Sequence, residues 1–298
     1  MTAAAASLAP SRLFRHATRP ATLAASVSPV LIGIGIAARA GEARLAPSLG
    51  ALGVAVALQV GANYANDYSD HRRGADRIRV GPPRAASSGV VPPRAVLAAA
   101  LVAFAVAAAL GLWLAAMSSW WLVAVGAGCI LAAATYTGGP FPYGYHGYGE
   151  VAVFLFFGEV ATCGTAFVEM RSIPLAAPLA AILPGSLAAA LLLINNLRDL
   201  ETDREAGKRT LAVALGAVRA RRLYLGLLAL ALAVPLILAV PAVTHAEVLL
   251  AWVAVPLLEG PVHKSGSQSP ADLVSALRQT ALVLLLSSSL LAVGIWMG

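Results

Sequence analysis

The sequence predicts an all-α integral membrane protein with nine transmembrane helices, its N-terminus cytoplasmic and its C-terminus outside. Three observations carry that expectation. The chain is 59% hydrophobic and only 12% charged, with a mean hydropathy of +0.79, about half the charged fraction of an ordinary soluble domain. Apolar stretches of roughly 17–25 residues, long enough to cross a bilayer as α-helices, recur along the whole chain. The basic residues alternate in step with them. Nine crossings place eighteen Lys and Arg in inside segments and only Arg39, Arg44 and Arg171 in outside ones, the asymmetry that orients membrane helices.

Residues 1–20 read as a cytoplasmic segment and 21–298 as a single polytopic domain. The first span, 21–38, is followed by "ARA" at 38–40, which imitates a cleavage site; eight further spans make it a retained helix. The second, 46–65, runs into "NYANDYSDHRRGAD", Asn63 to Asp76. The third and fourth, 94–116 and 119–137, lead to "TGGPFPYGYHGYG" at 137–149, a loop without Lys, Arg, Asp or Glu. Its tyrosines and His146 suit either a substrate pocket or anchoring at the headgroups. The fifth span, 149–168, holds Glu159 in mid-membrane, where a carboxyl is costly and points to function. The sixth, 174–195, ends in "NNLRDLETDREAGKRT", Asn195 to Thr210, and the last three are 221–241, 245–259 and 274–297. Cys129 and Cys163 fall inside spans without metal-ligand spacing and read as core residues. The net charge of +7 follows from topology and the anionic inner leaflet; no nucleic-acid module is present.

The two polar clusters carry the chemistry. Asn63, Asn66, Asp67 and Asp70 are separated by three, one and three residues, which gathers them on one helical face. Asn195, Asp199 and Asp203 fall at i, i+4 and i+8 on another. Both emerge on the cytoplasmic side, and two acidic stripes there repel unless a cation sits between them. Asp and Asn oxygens suit a hard ion such as Mg2+, which takes substrate phosphates among its remaining ligands. Arg72, Arg73, Arg77, Arg79 and Arg84 follow the first cluster, and Lys208 and Arg209 the second. Carboxylates, metal and cations at one spot describe a diphosphate site. Lys208 stands out because the chain has 19 Arg and only two Lys. A transporter would also accommodate nine spans and buried acids, but its acids belong near the midplane of broken helices.

The longer strings "QVGANYANDYSDHRRGAD", "RVGPPR", "YTGGPFPYGYHGYGEVAVFLFFG" and "NNLRDLETDREAGKRTLAVALG" resemble the motifs of the UbiA superfamily of intramembrane aromatic prenyltransferases, in its 1,4-dihydroxy-2-naphthoate branch. The resemblance implies nine helices around a central cavity that opens laterally to lipid. It implies Mg2+-dependent transfer of a polyprenyl group from polyprenyl diphosphate to 1,4-dihydroxy-2-naphthoate, with loss of CO2, giving demethylmenaquinone. Carried onto this chain, it makes Asn66, Asp70, Asp199 and Asp203 the holders of the Mg2+-diphosphate. The superfamily's third acid, four residues after the second, is replaced here by Gly74, and Asp76 is the next candidate ligand. Lys208 and Arg209 would stabilise the departing diphosphate, and Asp67 would orient or deprotonate the naphthoate hydroxyl. Asn63, Arg72, Arg79, Tyr143, His146, Asn195 and Arg198 complete the expected substrate contacts. Other acceptors, such as 4-hydroxybenzoate or homogentisate, remain alternatives that "GKRTLAV" and "RVGP" disfavour. The resemblance assigns Glu159 no catalytic role.

Overall fold

The computed structural model describes residues 18–75, 84–241 and 243–298, and the regular structure in these residues is all helical. Eight of its helical segments are long and apolar enough to cross a membrane, and a ninth is shorter. They are α1 Pro20–Arg39, α2 Leu45–Arg73, α3 Pro93–Met117, α4 Trp121–Thr135, α5 Gly149–Met170, α6 Ala176–Arg198, α7 Leu211–Leu238, α8 Ala246–Lys264 and α9 Pro270–Met297. Proline opens α1, α3 and α9, at the one helical position where its missing N–H costs nothing.

Several boundaries depart from the hydropathy pattern for identifiable reasons. α2 does not stop where its apolar run stops. It continues through the polar cluster to Gly74, whose φ of 70° ends the helix in the left-handed conformation that glycine adopts without strain. α6 ends at Arg198, and Asp199 leaves helical geometry before a short helix, Leu200–Glu205. The second acidic stripe is therefore broken between two helices. α7 begins at Leu211 rather than 221 and bends at Gly216, where φ is 74°. The eighth crossing is mostly a 3-10 helix, Ala246–Leu258. At about 2.0 Å of rise per residue, those 13 residues reach about 26 Å, which lets a short segment cross.

α6 is the most buried span and packs against α5, α7 and α9, while α1 lies against α9 and α5, and α2 against α3. α5 approaches α6 through a π-helical turn, Leu155–Val160. A Cβ on Gly158 would lie 2.8 Å from both the Ala181 carbonyl and the Gly185 Cα, the small-residue contact by which membrane helices pack. Glu159 belongs to that turn, and its carboxylate faces Cys163 rather than the cavity. The Tyr224 hydroxyl meets Thr280 Oγ1 at 2.7 Å and ties α7 to α9. α4 has no buried residue; it rests on α2 and α3. Large apolar side chains such as Leu101, Val102, Trp120 and Leu131 lie on the outer surface, as they must where lipid is the solvent.

Candidate active site

The helices enclose a cavity of about 860 Å³. Along α2 its wall runs from Ala51 to Asp70, which at about 1.5 Å per residue makes it roughly 28 Å deep. Its deep end is apolar, with Val30, Ala51, Leu114, Leu122 and Val168. Its mouth is where both polar clusters meet: Asn63, Asn66 and Asp70 from α2, with Asn195, Arg198, Asp199, Asp203 and Lys208 from the end of α6 and beyond.

Asp70 is the hub of the mouth and is buried. Arg84 donates to its Oδ2 at 3.0 Å, while the Tyr145 hydroxyl at 2.5 Å and Lys208 Nζ at 3.5 Å share its Oδ1. Lys208 also reaches Asp203 Oδ1 at 3.7 Å and lies 4.7 Å from the centre of the Tyr145 ring. Arg198 holds Asp199 with two nitrogens, at 2.8 and 2.5 Å, and donates to Asn195 Oδ1 at 3.0 Å. Asn66 Oδ1 accepts from Thr137. Asn63 donates to Thr18 O and Thr22 Oγ1 and accepts from Gln59, which fixes the start of α1 against α2.

The loop 137–149 is folded back beneath this mouth. Its short 3-10 turn, Tyr143–His146, is closed by Gly147, and the Tyr145 carbonyl accepts the Arg209 N–H at 2.8 Å. Tyr143 lines the cavity and donates to Ala132 O. Burial pushes its phenol up to about 12. Burial, with Glu150 nearby, also raises Tyr136, so both phenols stay protonated at neutral pH.

Four expected site residues do not reach the cavity. Asp67 is buried behind its wall, where Oδ2 accepts the Ala85 N–H at 2.9 Å. The reason is angular. At about 100° per residue, Gln59, Asn63, Asn66 and Asp70 fall within a stripe of roughly 60°, and Asp67 lies about 40° beyond its edge. Arg209 is exposed and is held by its backbone. Arg72 is exposed and stacks over Tyr68 at 6.0 Å. His146 is exposed, stacks on Phe141 at 4.2 Å and faces Pro142 O. Asp76 and Arg79 lie outside the described residues. In the other direction, Arg84 and Tyr145 prove to be direct partners of Asp70. Glu150, buried in α5 and accepting from Asn196 at 2.9 Å, had no signal beyond its charge in an apolar segment.

The helical bundle superimposes on solved UbiA homologs. The one from Aeropyrum pernix K1 superimposes with a TM-score of 0.66 at 17% identity, covering 90% of this chain and 97% of that one. The one from Archaeoglobus fulgidus bound to DMAPP and Mg2+ gives 0.60 at 17% identity, over 94% and 99%. At the level of sequence, the 1,4-dihydroxy-2-naphthoate octaprenyltransferase of Mycobacterium tuberculosis is 47% identical over 272 residues, 90% of this chain and 91% of that protein. Residues 26–264 match the UbiA prenyltransferase family, and the chain belongs to that family.

Proposed function

We propose that this protein transfers a polyprenyl group from its diphosphate to 1,4-dihydroxy-2-naphthoate, the carboxylate leaving as CO2. The observation that carries the reading is the juxtaposition at the cavity mouth. Asn66 and Asp70 from one motif and Asp199 and Asp203 from another line the same end of an otherwise apolar chamber. The choice of acceptor is supported by the 47% identity to a naphthoate octaprenyltransferase over 90% of the chain.

The residues present fit Mg2+. Their donors are carboxylate and amide oxygens, and among the described residues no three acids or histidines form a cage of their own. That suits an ion that binds through one or two carboxylates and takes phosphate oxygens and water for the rest. When bound with the diphosphate, Mg2+ offsets the charge that develops on the leaving group. Asn66, Asp70, Asp199 and Asp203 would hold it. Lys208, already at the mouth, supplies a mobile positive charge for the departing diphosphate. The allylic C–O bond breaks and the prenyl C1 bonds to the naphthoate ring carbon; as the carboxylate carbon departs as CO2, its bonding pair returns to the ring. The apolar wall, including Phe156 and Phe157, keeps water from the allylic cation.

The mouth faces the cytoplasm in this reading, with Arg84, Arg198 and Lys208 at that end and Arg39, Arg44 and Arg171 at the other. Residues 21–298 act as one catalytic domain. The experiment is direct. Purified protein is incubated with polyprenyl diphosphate and 1,4-dihydroxy-2-naphthoate, with Mg2+ or with EDTA. Prenylated product and CO2 should form in equal amounts and only with the metal. Turnover with 4-hydroxybenzoate but not with the naphthoate would overturn the reading.

A further inference from the structure

Glu150 is a carboxyl that the proposed chemistry leaves without a task. It sits in the first turn of α5 and is buried, and its Oε2 has no hydrogen-bond partner among the described residues. The start of α5 is pressed against α6. A Cβ on Gly149 would lie 3.2 Å from Leu192 Cδ2 and 3.2 Å from the Tyr136 hydroxyl oxygen. A carboxyl buried in such a place is costly unless it holds something. What it holds is Asn196 of α6, whose Nδ2 donates to Oε1 at 2.9 Å.

That bond decides which end of the Asn196 amide is left for the cavity. An amide has a donor end and an acceptor end, and its hydrogen bonds set which way it points. With the nitrogen turned to Glu150, Oδ1 is the atom that Asn196 can present to the cavity it lines. The oxygens of Asn63, Asn66 and Asn195 already accept from Gln59, Thr137 and Arg198, whereas that of Asn196 meets no donor among the described residues. Asn196 also stands three residues before Asp199, a spacing that puts both on one helical face. An oxygen turned outward attracts a cation and repels the oxygens of a diphosphate. We infer that Glu150 is a positioning residue: it fixes the Asn196 amide with its oxygen toward the Mg2+ of the bound donor, met directly or through one of the ion's waters. The inference rests on the Mg2+-diphosphate reading above and adds to it the outer partner by which oxygen and nitrogen ligands are oriented at metal sites.

The test measures binding without turnover. Farnesyl thiolodiphosphate, whose bridging sulfur resists cleavage, is titrated by calorimetry into the detergent-solubilised full chain over a range of Mg2+, with no acceptor present. In Glu150→Gln the new side chain can offer Asn196 either a donor or an acceptor, so the amide is no longer held one way. The Mg2+ concentration for half-maximal analogue binding should rise about tenfold or more, the scale for losing such a partner. Asn196→Ala should raise it similarly, and adding Glu150→Gln to Asn196→Ala should change it by less than about twofold, as coupling between the two requires. Glu150→Asp, which keeps an acceptor, should lie between wild type and Glu150→Gln. An unchanged Mg2+ midpoint in Glu150→Gln or in Asn196→Ala overturns the assignment, and so does a further loss of about tenfold in the double variant. A lowered melting temperature with an unchanged midpoint makes the contact a tie between helices and nothing more. If the wild type binds the analogue equally well in EDTA, the Mg2+-diphosphate reading fails instead.

Discussion

Asp67 separates two accounts of the first motif, because it was expected to act on the acceptor hydroxyl and the structure turns it away from the cavity. Its Oδ2 accepts the N–H of Ala85 at 2.9 Å, and Ala85 is fully buried. Asp67→Ala leaves that N–H without its acceptor in a place water does not reach, which costs about 1–3 kcal/mol. On the usual entropy scale for a chain of this size, that lowers the melting temperature by about 2–5 °C. The loss also loosens Arg84, the neighbour of Ala85 that pairs with Asp70 at 3.0 Å, so donor KM should rise by a few-fold. Asp67→Asn keeps an oxygen that can accept from Ala85, and it should retain both stability and most of the turnover.

The assay is thermal unfolding in detergent beside steady-state prenyl transfer for the two variants. A general base contributes typically 10²–10⁴-fold. If Asp67→Asn loses about a hundredfold in kcat with its melting temperature unchanged, the loop-anchoring account is refuted and Asp67 handles a proton after all.

Three further outcomes follow from the same contacts. Lys208→Met should lower kcat/KM for the donor by about a hundredfold or more, the scale of one electrostatic donor lost from a developing anion, with Lys208→Arg intermediate; equal activity in all three would remove Lys208 from the site. Tyr145→Phe deletes the 2.5 Å bond to Asp70 and should cost about tenfold in donor kcat/KM, read by the same steady-state assay. At the far end of the molecule, Glu169 accepts from Ser48 at 2.6 Å and from the Arg44 N–H at 2.9 Å, and Arg44, half exposed, contributes little as an ion pair. Glu169→Ala should therefore destabilise by about 1–3 kcal/mol in a thermal melt, while turnover per folded molecule is retained.

What the sequence could reveal was whatever has a period or a sign. Nine crossings followed from apolar length and alternating charge, and the mouth followed from Asn and Asp at helical spacing. Asp67 was misplaced because a four-residue stripe at 3.6 residues per turn has an edge, and spacing alone does not say which edge meets the cavity. Arg209 and His146 failed for a different reason. They sit on loops, where the backbone path decides what a side chain faces, and Arg209 is anchored through its N–H to Tyr145 O. Tyr145 itself illustrates the converse: nothing in "YGYHGYG" distinguishes it from Tyr143, and only the fold-back of the loop delivers its hydroxyl to Asp70. The break at Asp199 was hidden because i, i+4, i+8 spacing is satisfied equally by one helix or by two short arcs.

The mouth also accounts for a compositional oddity. Three carboxylates, Asp70, Asp199 and Asp203, line the same end of the cavity, where unpaired anions are costly. Arg198 satisfies Asp199 in a rigid two-point grip, the task for which guanidinium is suited. Lys208 has a different task, standing between Asp70 and Asp203 at 3.5 and 3.7 Å. Both distances are too long for a strong fixed bond, and an ammonium on four methylenes can turn from one anion to another without matching a planar fork. In the proposed reaction, a charge that holds two carboxylates in the resting protein and would then meet a departing diphosphate is better carried by such a point charge. That is a physical reason for one of the chain's two lysines, among 19 arginines, to stand at this position, and it predicts that Lys208→Arg will bind donor more readily than it releases product.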